Sequence, residues 1–285
     1  MISKKIVLGG ESFKYMDQKS VNNLLNFASE HGINYIDTAP SYGSSENLIG
    51  GYKGRNNFRI STKIGNPSGL LNPDNIIESV NKSLIDLKIE HIDCIYIHSV
   101  DPKLVTCEVL NKLENLEKAG KISSFGYSGD GQFLDLVVSN FSEIRNFMCT
   151  FNIVDQGNYR TIVNNPHLNW VIKRPLANGI WDYGISKKLL SARQLLSGFE
   201  ISNKSDLYWD RFKILKELGH IEKITLSMLI GYIDRKLPLV KFVAGTRSKK
   251  HLSQLLKYSG ISNKNLDAIT DAWNIMSKNH LEIKI

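Results

Sequence analysis

Short apolar runs alternate with amphipathic segments along almost the whole chain, and no other feature restricts its fold as much. The apolar runs fall at residues 5–8, 34–39, 58–62, 92–97, 122–127, 147–152, 171–176 and 239–244. They suit strands covered on both faces, as in a parallel sheet. Helical spacing marks 17–31, 76–87, 104–119, 132–139, 209–218, 221–234, 249–258 and 265–278. Such strands with intervening helices predict an α/β fold, a closed (β/α)8 TIM barrel. An open doubly wound sheet is the alternative. It fits less well, because no strand runs into G-x-G-x-x-G or a phosphate-binding loop. Gly50-Gly51-x-x-Gly54 follows a helix and reads as a loop. No low-complexity linker or composition shift divides the chain, so residues 1–285 are expected to form one catalytic domain.

Local signals support these assignments. Val21, Leu24, Leu25 and Ala28 share one helical face, and Gly32 is placed to stop that helix. Asn72-Pro73 opens the next long helix, while Gly65, Pro67 and Gly69 punctuate the loop before it. Pro175 sits near the end of the seventh run, where a strand best tolerates proline. Residues 155–170 read as irregular with weak helical tendency, and 181–205 as a long, poorly periodic insertion.

A net charge of +8 raises the question of polyanion binding. The basic residues are scattered, with Lys249-Lys250 about as dense as they become, so no nucleic-acid face is expected. Cys94, Cys107 and Cys149 are odd in number and lack C-x-x-C spacing, which points to reduced thiols and a cytoplasmic protein. No run approaches the ~18 apolar residues of a membrane span.

The chemistry gathers around residues 32–50, GINYIDTAPSYGSSENLIG. Asp37 ends the second apolar run, and Pro40 and Gly43 bracket a turn holding Tyr42, before a helix start at Ser44 or Ser45 with Glu46. A phenol keeps its proton to about pH 10, so a useful Tyr42 needs a cation nearby. In a (β/α)8 barrel the active site lies at the carboxyl ends of the strands. That rule selects Lys63, expected at the exit of strand three, and His98, at the exit of strand four. Asp37 would hold Lys63 charged, Lys63 would lower the pKa of Tyr42, Tyr42 would protonate a substrate oxygen, and His98 would fix that oxygen. Each residue alone has a structural explanation; their convergence on successive strand exits favours the chemical one.

These residues resemble the signature of the aldo-keto reductase family. Residues 32–39 with Ser41-Tyr42-Gly43 and Glu46 are similar to the stretch carrying its catalytic Asp and Tyr, Ser61-Thr62-Lys63 to that carrying its Lys, and Tyr96-Ile97-His98 to that carrying its His. The resemblance implies metal-free reduction of a small-molecule aldehyde or ketone with NADPH, and with NADH as the less favoured coenzyme. It implies coenzyme contacts at Gly10, at Ser128 for the nicotinamide carboxamide, at Arg174 and Leu176 in the loop after strand seven, and at Gly245, Thr246, Arg247, Lys249 and His251 after strand eight. Arg247 suits a ribose 2′-phosphate, which a guanidinium can grip with two bonds. The chain departs from the pattern at Met148, where many relatives have Gln, at Lys173 or Arg174, where an aromatic often stacks on the ring, and at His251, where many have Arg. Trp181 and Tyr183 stand as substrate contacts or as structural residues. A nucleotide-binding protein with slow turnover, and a Schiff-base enzyme using Lys63, are the rival readings.

Overall fold

A computed structural model describes residues 2–66, 70–177, 179, 203–220, 225–258 and 260–278. Eight parallel strands close into a barrel in chain order: β1 (Ile6–Gly9), β2 (Tyr35–Asp37), β3 (Arg59–Ile64), β4 (Cys94–His98), β5 (Phe125–Ser128), β6 (Asn146–Thr150), β7 (Asn169–Lys173) and β8 (Lys241–Gly245). The helices among the described residues are α1 (Gln18–Glu30), α2 (Ser45–Gly50), α3 (Ile76–Leu87), α4 (Cys107–Lys118), α5 (Gly131–Asn140), α6 (Tyr159–Asn164), α7 (Asn203–Leu218), α8 (Leu226–Lys236), α9 (Lys249–Leu256) and α10 (Asn263–Lys278). This is the expected (β/α)8 barrel.

Contacts group the chain into two compact units. One comprises 1–149, 158–173 and 240–253 and carries the barrel wall; the other comprises 150–157, 174–239 and 254–285 and carries α7, α8 and α10. In the second unit Tyr208 and Arg211 of α7 tie down the turn after β6. The Tyr208 hydroxyl donates to Asp155 at 2.8 Å and the Arg211 guanidinium to the Val154 carbonyl at 3.0 Å.

Strand residues alternate between the two sides of the wall, and the register identifies each side. The outward positions carry Ile6, Leu8, Ile36, Ile60, Ile95, Ile97, Tyr127, Phe147, Ile172 and Phe242, all buried. The buried faces of α1 (Val21, Leu24, Leu25, Ala28), α3 (Val80, Leu84, Leu87) and α4 (Val109, Leu110, Leu113) belong to the same core. The inward positions are more polar. Register pairs Gly9 with Asp37, Asp37 with Ser61, Lys63 with Tyr96, His98 with Ser128, and Ser128 with Met148. At the amino end of the barrel, the Arg59 and Lys241 cations lie 5.6 Å and 4.9 Å from the Tyr35 ring centre.

Several boundaries differ from expectation for identifiable reasons. Lys63 does not leave β3 but lies within it, because Ile64 still packs outward, 2% exposed, and the chain turns only at Gly65 with φ +79°. β6 stops at Thr150 because Asn152 and Asp155 close a turn through paired backbone bonds of 2.9 Å and 3.2 Å. β7 starts two residues and ends three residues before the expected 171–176: the Trp170 ring packs at a tilt against Phe147, centres 5.2 Å apart, and Arg174 turns away at φ +55° before Pro175. Helix α1 matches its signals, with Asp17 accepting from the Ser20 amide at 2.7 Å and Gly32 at φ +75°. Most of the expected 181–205 insertion, with Trp181 and Tyr183, lies outside the described residues.

Candidate active site

Asp37 and His98 are the last residues of β2 and β4, and Lys63 is the inward-facing penultimate residue of β3. The three are buried, with 3%, 8% and 2% of their surface exposed. Tyr42 ends a 3-10 turn, Pro40–Tyr42, and is half-buried. The Lys63 ammonium donates to Asp37 Oδ2 and to the Thr38 carbonyl, both at 2.7 Å, and stands 4.9 Å from the centre of the Tyr42 ring. Ser61 donates to the other Asp37 oxygen at 3.1 Å. The Tyr42 and His98 rings meet edge to face at 6.2 Å. All four sequence-selected residues are therefore gathered at one end of the barrel.

Burial works against the charge on Lys63, yet the Asp37 carboxylate, with Tyr42 beside it, outweighs that cost and holds the ammonium above its ordinary pKa. Tyr42 goes the other way from expectation. Burial pushes its phenol above the ordinary value; Lys63 pulls it down and Asp37 and Glu11 push it up, and the net direction is upward. Desolvation of the phenolate wins over one already neutralised cation. A second phenol, Tyr96, pairs in register with Lys63, but it is 5% exposed on the inner wall, and burial followed by the Cys94 and Asp37 charges drives it well above its ordinary range. Cys94 beneath it is likewise pushed up to about 12 by burial, so it is no nucleophile at neutral pH.

Behind Lys63 lies an arrangement that sequence reading missed. Thr62 faces outward and donates to Glu46 Oε1 of α2 at 2.6 Å, and Ser83 of α3 also bonds that carboxyl. Glu46 is 2% exposed. Burial raises its pKa, against the pull of Thr62 and Ser83. A carboxyl raised in the folded state stabilises the fold fully below its ordinary pKa, and that contribution is lost as pH rises through the folded value. Glu46→Gln keeps the oxygen that Thr62 uses and removes the titration. Its melting temperature relative to the parent is therefore expected to climb as pH rises from the ordinary carboxylate range towards neutrality, which thermal melts across that range will check. On the same side Ser45 donates to the Gly10 carbonyl at 2.8 Å and lies 2.9 Å from the Thr38 hydroxyl. A Cβ at Gly10 would stand 2.7 Å from that Ser45 oxygen, so only glycine permits the approach.

The remaining sequence-selected positions divide between the two units. Ser128 ends β5 beside His98 and is buried, its carbonyl accepting from the Ser99 amide at 2.7 Å. Gly245 ends β8, and no described atom lies within 4 Å of where its Cβ would stand. Thr246 accepts from the Ser248 amide at 3.0 Å, just before α9, with Arg247 and Lys249 exposed and His251 half-buried. Arg247 lies 5.8 Å from the Tyr15 ring centre. In the second unit, Arg174 donates to Thr150 at 2.8 Å, its carbonyl accepts from Asn152 at 3.0 Å, and Leu176 is half-buried. The β8–α9 loop offers cationic side chains at the start of a helix, a setting that fits phosphate groups. The open edge at Gly245 and the polar inner wall at Ser128 fit the rest of a nicotinamide coenzyme.

Met148 is 2% exposed on β6, in register with Ser128. Lys173 forms an ion pair at 3.2 Å with Asp130, the residue before α5.

The Aldo/keto reductase family model matches residues 5–274. D-arabinose 1-dehydrogenase of Saccharomyces cerevisiae is 32% identical over 143 residues, 44% of this chain and 42% of that protein. Aldo-keto reductase YhdN of Bacillus subtilis is 32% identical over 133 residues, 42% of this chain and 40% of that protein. The chain thus spans about two fifths of the length of these curated relatives. Among solved structures, aldo-keto reductase AKR11C1 from Bacillus halodurans in its holo form superposes with a TM-score of 0.75 at 21% identity, over 94% of this chain and 91% of that one, a likeness of fold. Because the family match runs from before β1 into α10, through every strand of the barrel, the chain belongs to the aldo/keto reductase family.

Proposed function

We propose that this protein is an oxidoreductase that reduces the carbonyl of a small aldehyde or ketone to the alcohol, with NADPH favoured over NADH, and that residues 1–285 act as one catalytic domain in the cytoplasm. The observation that carries the reading is the buried Lys63, held by Asp37 at 2.7 Å and set 4.9 Å from the Tyr42 ring centre. The coenzyme, when bound, supplies the hydride. Tyr42 supplies the proton to the carbonyl oxygen. Its raised pKa keeps it fully protonated at neutral pH, and Lys63 stabilises the phenolate once the proton has gone. His98, edge-on to Tyr42, orients the oxygen by a hydrogen bond. Both donors are fixed before the substrate arrives, which is what makes them effective against charge developing on that oxygen. Ser128 and the β8–α9 loop hold the coenzyme.

The test is oxidation of NADPH by the purified protein with an activated aldehyde such as nitrobenzaldehyde. Absence of turnover across a panel of aryl and sugar carbonyls would overturn the reading. The coenzyme preference rests on Arg247. Arg247→Leu removes charge-assisted bonds to a 2′-phosphate and is expected to raise the KM for NADPH about tenfold, leaving that for NADH nearly unchanged. Equal changes for the two coenzymes would remove Arg247 from that role.

A further inference from the structure

The segments that enter β2, β3 and β4 enclose a cleft of about 730 Å³ at the amino end of the barrel. Its walls are Asn34 before β2, residues 55–60 around the start of β3, and residues 88–91 with Asp93 before β4. Arg59 begins β3 and Lys63 lies near its far end, so this cleft and the Tyr42–Lys63 cluster sit at opposite ends of one strand. The walls are fastened together. Arg55 Nε donates to the Lys88 carbonyl at 2.7 Å, and the Ile60 amide donates to the Asp93 carboxylate at 2.8 Å. His91 Nδ1 donates to the Gly120 carbonyl at 2.8 Å, while its Nε2 meets the Ser123 hydroxyl.

Three cations, Arg55, Arg59 and Lys88, line the cleft against two acids, Glu90 and Asp93. A fourth, Lys241, shares the Tyr35 ring with Arg59, which also donates to the Tyr35 hydroxyl at 3.2 Å. Among the described residues, none of these four cations forms an ion pair with an acid. Like charges gathered in one place repel, and an anion seated among them recovers that energy. Arg59 and Lys88 are exposed, so a solute can reach them, and a guanidinium fork suits a phosphate. Asn34, Asn56 and Asn57 are exposed on the same walls. Their amides both donate and accept, which is what a group bearing several hydroxyls requires. The volume falls within the range of about 300–1,000 Å³ usual for small-molecule sites.

We propose that this cleft is a second binding site, for a phosphorylated sugar, with the phosphate on Arg59 and Lys88 and the hydroxyls on the asparagine amides. The test is isothermal titration of the whole protein with ribose 5-phosphate, ribose and inorganic phosphate. Ribose 5-phosphate is expected to bind and ribose to give no measurable heat. Inorganic phosphate should bind about tenfold more weakly than the sugar phosphate, the loss of roughly one hydrogen bond to the amides. Arg59→Gln and Lys88→Asn should each weaken ribose 5-phosphate about tenfold, the worth of one charge-assisted bond. Lys88 stands at φ +54°, a conformation that Asn tolerates, so that change isolates the charge. Arg247→Leu, at the far end of the barrel, should leave this affinity as it is in the parent. A parent that does not bind ribose 5-phosphate overturns the proposal, as does one that binds ribose equally well. Inorganic phosphate binding as tightly as the sugar phosphate overturns the sugar assignment. Affinity lost in Arg247→Leu and kept in both cleft variants overturns the site, because the anion then sits on the β8–α9 loop. If one cleft variant fails to fold, the other decides. None of these outcomes bears on carbonyl reduction, which is read separately from NADPH oxidation.

Discussion

Tyr42→Phe is expected to lower kcat by about 10²–10⁴-fold, the range over which a positioned general acid acts, while the Kd for NADPH changes little. The ring that meets His98 edge to face at 6.2 Å and faces the Lys63 ammonium at 4.9 Å is retained in Phe; only the proton donor goes. Stability should therefore move by no more than ~1 kcal/mol, the worth of one hydroxyl's hydrogen bonding. Steady-state turnover beside a coenzyme titration separates the two effects, and a variant with parental kcat would remove Tyr42 from the chemistry. In the parent, burial raises the Tyr42 pKa. Reduction should then hold across neutral pH and decline only in the alkaline range, as the phenol loses its proton above its ordinary value.

Lys63→Met is expected to abolish measurable reduction and also to destabilise the fold by about 3–5 kcal/mol, because it strands a buried carboxylate. Asp37 is 3% exposed, and its Oδ2 meets the Lys63 ammonium at 2.7 Å. The double variant Lys63→Met with Asp37→Leu separates the two consequences. Replacing both charges with apolar side chains should recover most of the stability and none of the activity. Thermal melts and turnover on both variants check this. If the single variant melted with the parent, the ion pair would not be the support described here.

The barrel and its acid end could be read from the chain because their signals are local. Apolar runs and Gly stops place strands to within a few residues, and the barrel rule then brings Asp37, Tyr42, Lys63 and His98 to one end. What could not be read depends on partners distant in sequence. Lys63 was expected at a strand exit because the loop signal at Gly65 does not say whether Ile64 still packs. The upward shift at Tyr42 follows from desolvation, which a list of neighbouring charges does not reveal. Glu46 looked like a helix-start residue; its burial depends on Thr62 sixteen positions later and on Ser83 beyond that. The Lys173–Asp130 pair joins β7 to the end of β5, with no spacing that announces it.

Thr62 and Lys63 are neighbours on one strand pointing to opposite sides of the wall. One is bonded to Glu46 at 2.6 Å outside the barrel, the other to Asp37 at 2.7 Å inside it. They share a peptide unit, so any displacement of α2 or α3 that drags Thr62 carries the ammonium with it. For anyone seeking new substrates by mutagenesis, this has a practical meaning. Ser45–Gly50 and Ile76–Leu87 look like remote scaffold, yet they are mechanically continuous with the reacting centre. A library should leave them intact and place its diversity in the loops at the open end.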